Sequence, residues 1–203
     1  MMATKLNSEL FLKVSQRVQE LIDAYLPVAP DGIGDYGSRA RDDARACVVL
    51  VHAEFESYFE KLSVDLAKSR VSSIEDGSFG LPEAIFLYEA GRLSQDKKLS
   101  HSKMIDAAKA LESLHKREVV HSNHGIKTRN IEKLFRPFGS IGDGFDTCLG
   151  PMLDAFGANR GECAHEGATF GIKKEINPFE TRKEILDLLK ALKQFDERYA
   201  SEL

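Results

Sequence analysis

Asp43-Ala44-Arg45-Ala46-Cys47-Val48-Val49-Leu50-Val51-His52-Ala53-Glu54-Phe55-Glu56-Ser57-Tyr58-Phe59-Glu60-Lys61-Leu62-Ser63-Val64-Asp65-Leu66 is the stretch that decides the fold. Its apolar residues Ala44, Val48, Val51, Phe55, Tyr58, Leu62 and Leu66 step by three or four, the spacing of one face of an α-helix. No proline or glycine interrupts the chain from Arg39 to Arg70. The spacing predicts a single helix roughly 45 Å long, with Ser38 as its N-cap after the glycine- and aspartate-rich linker Asp31 to Gly37. Such a helix can bury its stripe only against other elements, so it is expected to form the spine of a helical bundle.

The same periodicity recurs on both sides. Leu10, Val14, Val18, Leu21 and Tyr25 mark a first helix from about Asn7 to Tyr25, stopped by Pro27 and Pro30. Asp76-Gly77, Gly80 and Pro82 read as turns, with a short helix from Pro82 to Leu93. Ser102 is placed to cap a helix through Ile105, Ala108, Leu111 and Leu114. After a polar break at His121 to Gly125, the residues Ile131, Leu134, Phe135 and Phe138 predict another short helix ending at Gly139. Ser140 to Gly144 reads as a loop. Phe145 to Phe156 reads as helix disturbed at Gly150-Pro151. In the last helix Thr181-x-x-Glu184 has the form of a capping box, and Ile185, Leu188, Leu189, Leu192, Phe195 and Tyr199 form the inward stripe. No alternating strand pattern and no internal repeat occurs. The expectation is one all-α domain spanning residues 1–203, a helical bundle with one long central helix.

Composition narrows the function. The 203 residues are 42% hydrophobic and 30% charged, as in globular domains rather than disordered chains. The longest apolar run, Ala46 to Val51, is far below the roughly 18 residues that a membrane span requires. Met1 to Leu10 lacks a basic region followed by an apolar core, so no secretion signal is expected. Cys47, Cys148 and Cys163 are odd in number and unevenly spaced, which fits reduced thiols and a cytoplasmic setting. The net charge of -4 excludes nucleic-acid binding through bulk positive charge. A local patch is the remaining route. Lys116, Arg117, Lys127, Arg129, Lys133 and Arg136 cluster in one part of the chain, and a solvated helix face is the alternative reading of the same residues.

The stretch with chemistry is Asn159-Arg160-Gly161-Glu162-Cys163-Ala164-His165-Glu166-Gly167. Arginine offers a permanent charge in a planar fork that fits phosphate oxygens, and histidine takes and returns a proton near neutral pH. Intramolecular RNA cleavage needs a base for the 2′-hydroxyl, an acid for the leaving 5′-oxygen and positive charge on the phosphorane. One histidine cannot be base and acid at once, so an enzyme of this kind implies a two-fold homodimer that pairs two motifs. On an ideal helix the two side chains stand about 140° apart. A surface arginine and a core or capping histidine is the alternative reading of the same pair, and the wider pair Arg117 and His124 ranks second. Glu56 is a secondary candidate to orient Arg160 or His165, with an exposed helix glutamate as the alternative reading, and His52, one turn before it, reads as a packed or partner-facing histidine.

Around that pair the chain resembles a family. Arg160-Gly161-Glu162-Cys163-Ala164-His165-Glu166-Gly167 looks like the R-x4-6-H motif of HEPN domains. Asn123-His124-Gly125-Ile126-Lys127-Thr128-Arg129-Asn130-Ile131-Glu132-Lys133-Leu134-Phe135 and Val49 to Phe59 resemble segments of the RiboL-PSP type within that family. The resemblance covers about Arg45 to Tyr199. It implies an all-α fold and a metal-independent, typically dimeric endoribonuclease of toxin-antitoxin, phage-defence or RNA-processing systems. It carries the catalytic pair onto Arg160 and His165; beside the resemblance, Asn159 and Glu56 are read as supports and Lys127, Arg129, Lys133 and Arg136 as guides for the RNA backbone. The partners so implied are an RNA substrate, a second copy of the chain and a cognate antitoxin or effector protein. Gly161 departs from the family, which usually has a polar residue after the arginine. That departure keeps a second reading open, a non-catalytic HEPN-like module that dimerises and binds RNA or a partner protein.

Other chemistries find no support. His115, His121, His124 and Cys148 fit no standard zinc spacing, so neither a metal nor another cofactor is expected. Asp31 and Asp35 lack the glutamate that a calcium loop needs at its end, where Asp42 stands. Gly139-x-x-Gly142-x-Gly144 is not followed by Gly-Lys-Ser/Thr, and no Gly-x-Ser-x-Gly occurs.

Overall fold

The computed structural model describes residues 8–28, 36–93, 100–139, 145–165 and 175–199. Among them are seven α-helices and no strand: α1 (Glu9–Tyr25), α2 (Ser38–Glu75), α3 (Leu81–Leu93), α4 (His101–Leu114), α5 (Thr128–Phe135), α6 (Gly150–His165) and α7 (Pro178–Tyr199). A π-helical turn (His115–Val120) follows α4, a 3-10 turn (Arg136–Phe138) follows α5, and a second π-helical turn (Phe145–Leu149) leads into α6. The all-α bundle expected from periodicity is the observed fold. No described helix is long and apolar enough to cross a membrane.

The spine is α2, which runs 38 residues, about 57 Å at helical rise. Every residue of its expected stripe is buried, and α2 packs against all six other helices. One half of it lies in the main core with α1, α5, α6 and α7. Phe59 meets Phe195 edge-on at 5.5 Å and Phe135 at 6.4 Å, and Phe55 tilts against Phe156 at 6.1 Å. The other half, through Ala67, Val71 and Ile74, forms a smaller core with Phe86 and Ala90 of α3 and Ala108 and Leu111 of α4. Phe138 joins the two, stacked on Phe86 at 5.8 Å and edge-on to Phe135 at 6.2 Å.

Several boundaries differ from the expectation. Gly37, not Ser38, occupies the N-cap of α2, and no side chain caps that end. α2 also continues past Arg70 to Glu75, because Val71 and Ile74 still find apolar partners. Ser100 rather than Ser102 stands at the N-cap of α4. Thr181-x-x-Glu184 does not begin the last helix. Asn177 does so, its side-chain oxygen accepting from the amides of Phe179 (3.0 Å) and Glu180 (3.2 Å). Pro178 follows at the first helical position, where its missing N–H costs nothing. Thr181 then lies in the first turn and donates its hydroxyl back to the Asn177 carbonyl (2.9 Å). The loop expected at Ser140 to Gly144, and the side chain of Tyr199, lie outside the described residues.

A buried carboxylate ties three helices together. Asp196 of α7 has no solvent exposure. It accepts from the backbone amide of Ser8 (2.7 Å), from the Ser8 hydroxyl, and from the Tyr58 hydroxyl of α2 (2.9 Å). Ser8 in turn caps α1 by accepting from the amide of Phe11 (3.0 Å). Removing the carboxylate leaves the buried Tyr58 hydroxyl and the part-buried Ser8 amide and hydroxyl without this acceptor. Asp196→Ala is expected to lower unfolding free energy by about 3 kcal/mol, and Tyr58→Phe by about 1 kcal/mol, in urea titrations. Equal, near-zero losses would show that the network contributes no net stability.

Candidate functional site

The site forms where the segment after the first π-helical turn crosses between α2 and α6. Glu56 and Glu60 stand one helical turn apart on α2 and hold that segment. The Gly125 amide donates to the Glu56 carboxylate. The Asn123 side-chain amide donates to Glu60 Oε1 (3.0 Å) and to the Gly125 carbonyl (3.2 Å). Gly125 has φ +128°, and a Cβ there would lie 3.2 Å from Asn130 Nδ2 and 3.8 Å from His52 Nε2. Only glycine meets both conditions without strain.

The other side of the segment is fastened to α6. Asp154 accepts from the amide (2.7 Å) and hydroxyl (3.1 Å) of Thr128, the first residue of α5. Glycines on α6 let the segment approach. A Cβ on Gly157 would sit 3.1 Å from Lys127 Cγ, and one on Gly150 would sit 2.9 Å from Thr128 Oγ1. Arg160 follows Gly157 by three residues, so it projects from nearly the same face of the helix.

Arg160 is half-buried, and its Nε is sequestered with no hydrogen-bond partner. Its charge reaches both His52 and Glu56. His52 is 4% exposed, and its Nδ1 lies 3.9 Å from Glu56 Oε2. Burial, and then the Arg160 charge, push its imidazole down to about 4, so it is neutral near pH 7. Burial raises the Glu56 carboxyl above its ordinary value. The Gly125 amide pulls it back, Glu60 adds to the rise, and the charges of Arg160 and His124 oppose it. The arrangement is a half-buried cation whose charge acts on a carboxylate and a neutral imidazole, and the carboxylate also lines a groove.

The expected site residues divide. The charge of Arg160 lowers the Glu56 carboxyl, a smaller influence than burial, the Gly125 amide and Glu60. Asn159 is not part of that grouping. It lines a cleft of about 320 Å³ beside α7, with Glu162, Glu180 and Glu184 among the lining residues. Its side-chain oxygen lies 3.9 Å from the Cys163 thiol. His165 is the last residue of α6, and its side chain lies outside the described residues. Arg129, Lys133 and Arg136 are exposed along one stripe of α5 and the turn after it. Lys133 donates to the Ser122 hydroxyl (2.8 Å), so the stripe borders the clamped segment. Lys127 is exposed too, with its stem against Gly157.

Of the second-ranked pair, Arg117 is exposed and paired with Glu118 (3.0 Å). His124 is exposed in a groove that Glu56 also lines. His115 is a core residue, bonded to Ser63 (3.1 Å) and edge-on to Phe138. Among the described residues no three His, Cys, Asp or Glu side chains converge to hold a metal. Asp31, Asp35, Gly142 and Gly144 lie outside the described residues. Sequence reasoning missed Glu60, Asn123 and Gly125 as the clamp. The signal available was Glu56 and Glu60 on one helix face opposite a polar Asn-His-Gly.

No protein-family model matches the chain, and no curated protein or solved structure matches it at a significant level.

Two measurements check this geometry. Burial pushes the imidazole of His115 down to about 4 as well. Unfolded imidazoles take up a proton near pH 6.5. Between the two values acid favours the unfolded chain, so these groups make stability fall as pH drops from about 6.5 toward 4. Proton NMR should place the titration of His52 near pH 4, and a midpoint at or above 6.5 would contradict its burial beside Arg160. Gly125→Ala should cost about 1–3 kcal/mol in thermal or urea unfolding, through its backbone conformation and the Asn130 contact.

Proposed function

We propose that the chain is a metal-independent endoribonuclease of HEPN type. The observation that carries the reading is the half-buried Arg160, its Nε hidden from solvent and its charge acting on Glu56, on the helix that ends five residues later at His165. A guanidinium partly screened from bulk water attracts a phosphorane more strongly than a fully exposed one. In the proposed reaction His165 removes the proton from a 2′-hydroxyl. The O2′–P bond forms, the P–O5′ bond breaks, and the 5′-oxygen takes up a proton. The products are a 2′,3′-cyclic phosphate and a 5′-hydroxyl. Arg160 holds the non-bridging oxygens, and Glu56 orients its charge. The stripe Arg129, Lys133 and Arg136, with Lys127, follows the RNA backbone. A homodimer pairs two such motifs, and a cognate antitoxin or effector protein of a toxin-antitoxin or phage-defence system is the partner that controls it.

A specific observation favours a second reading, a non-catalytic HEPN-like module that dimerises and binds RNA or a protein. Asn159 turns to the carboxylate-lined cleft rather than toward Arg160, and Gly161 has nothing within 4 Å of where a side chain would begin. The polar group expected beside the arginine is therefore missing on both sides.

Cleavage of end-labelled single-stranded RNA in excess EDTA separates the two. The enzyme reading expects cyclic-phosphate ends, and losses of about 10²-fold or more for Arg160→Ala and His165→Ala. Its rate should rise and then fall with pH, and a flat profile between about pH 5 and 9 would count against imidazole catalysis. RNA binding without cleavage, unchanged by His165→Ala, would support the module.

A further inference from the structure

Helix α3 carries apolar residues on two faces. One turns inward, where Phe86 and Ala90 pack with Ala67, Val71 and Ile74 of α2 and with Ala108 and Leu111 of α4. The other meets solvent. Leu81 and Tyr88 are 75% and 69% exposed, and Ala84 is exposed between them. A surface helix ordinarily presents charged or polar residues on the side away from the core. The outward stripe of Leu81, Ala84, Tyr88 and Gly91 holds no charge.

The order of sizes along this stripe identifies its occupant. The four residues are spaced by three, four and three, so they fall within about 80° of one another around the helix, the seam spacing of paired helices. They alternate large, small, large, small. A Cβ on Gly91 would have nothing within 4 Å, so the last position is a hollow. Consider a second α3 running antiparallel, about a two-fold axis midway between Ala84 and Tyr88. Tyr88 of each copy then faces Ala84 of the other, and Leu81 faces Gly91. Every large side chain meets a small one, the self-complementarity that a two-fold contact requires. Parallel pairing would set large against large.

Charge and area fit the same occupant. Glu83 of α3 is turned inward to Arg70 (3.5 Å), and Glu89 is paired with Arg92 (3.1 Å), so two copies bring no net repulsion to the contact. Antiparallel helices also set opposite dipole ends side by side. Tyr88, Leu81 and the exposed Phe79 present roughly 350 Å² per copy. That is nearly half of the roughly 800 Å² that each partner buries in a stable dimer, the share of an apolar centre within a polar rim.

We propose that α3 is an interface at which two copies of this chain pair antiparallel about a two-fold axis. The contact is independent of the ribonuclease reading. α3 covers one half of α2 and α6 packs on the other, so this contact joins chains without pairing their Arg160 motifs.

Light scattering on the full chain, after size-exclusion chromatography, tests both the face and its register. Ala84→Glu and Tyr88→Lys should each halve the mass of the parent assembly. Circular dichroism should show unchanged helix content in both, since both positions are exposed. Mixed in equal amounts, the two variants should regain the parent mass. The introduced carboxylate then faces the introduced ammonium at one contact, and native Tyr88 faces native Ala84 at the other. Gly91→Phe should halve the mass as well, by filling the hollow that receives Leu81. A monomeric parent, or single variants that keep the parent mass, would overturn the proposal. Single variants that stay at half mass when mixed would overturn the antiparallel pairing.

Discussion

The constraint on which the rest depends is the length of α2. A helix of 38 residues with buried positions from Ala44 to Ile74 must be covered along its whole length, because each exposed apolar side chain costs about 1.5–3 kcal/mol of lost burial. No single partner helix is that long, the next longest described being α7 at 22 residues. Cover comes in two instalments, with α1, α5, α6 and α7 on one half and α3 and α4 on the other. Phe138 is where they meet. The polar residues of α2 are fixed in space by the same packing. His52, Glu56 and Glu60 have defined positions because Val51, Phe55 and Phe59 are pinned beneath them.

The candidate site exploits a difference between the two neighbours of α2 on that side. α5 and the segment before it lack the length to pack as a bundle helix. They are instead held by polar clamps, Glu56 and Glu60 from α2 and Asp154 from α6, and by close contact at Gly125, Gly150 and Gly157. Such clamps place backbone more sharply than apolar packing does, since hydrogen bonds weaken steeply with misalignment. The side chain between two clamped residues, His124, and that of His121 just before them line a groove. His52 lies behind this surface, where burial sets its electrostatics.

Much of this was legible from residue order. The stripe of α2 was readable position by position, as was that of α7 from Ile185 to Phe195, because helical period and apolar burial are coupled by one geometry. The disturbance at Gly150-Pro151 was readable from proline chemistry, and it takes the form of a π-helical turn just before α6. Capping was less legible. Thr181-x-x-Glu184 and Asn177-Pro178 both spell a helix start, and the second prevails because it allows an extra turn to pack. The buried Asp196 had no signal, since an aspartate on an amphipathic helix reads as solvent-facing until Ser8 and Tyr58 are known to lie against it.

For the candidate site, the sequence by itself determined the cast: an arginine and a histidine five apart near a helix end, a glutamate on the long helix, and a polar Asn-His-Gly break. It determined these because residue chemistry and helical spacing are local properties. Which of them meet was decided only by the tertiary structure. Arg160 acts on Glu56 and His52, while Asn159, its immediate neighbour, turns to the cleft beside α7. Successive side chains on a helix diverge by about 100°, so adjacency in sequence separates residues in space. Contact between helices joins residues that lie roughly a hundred positions apart.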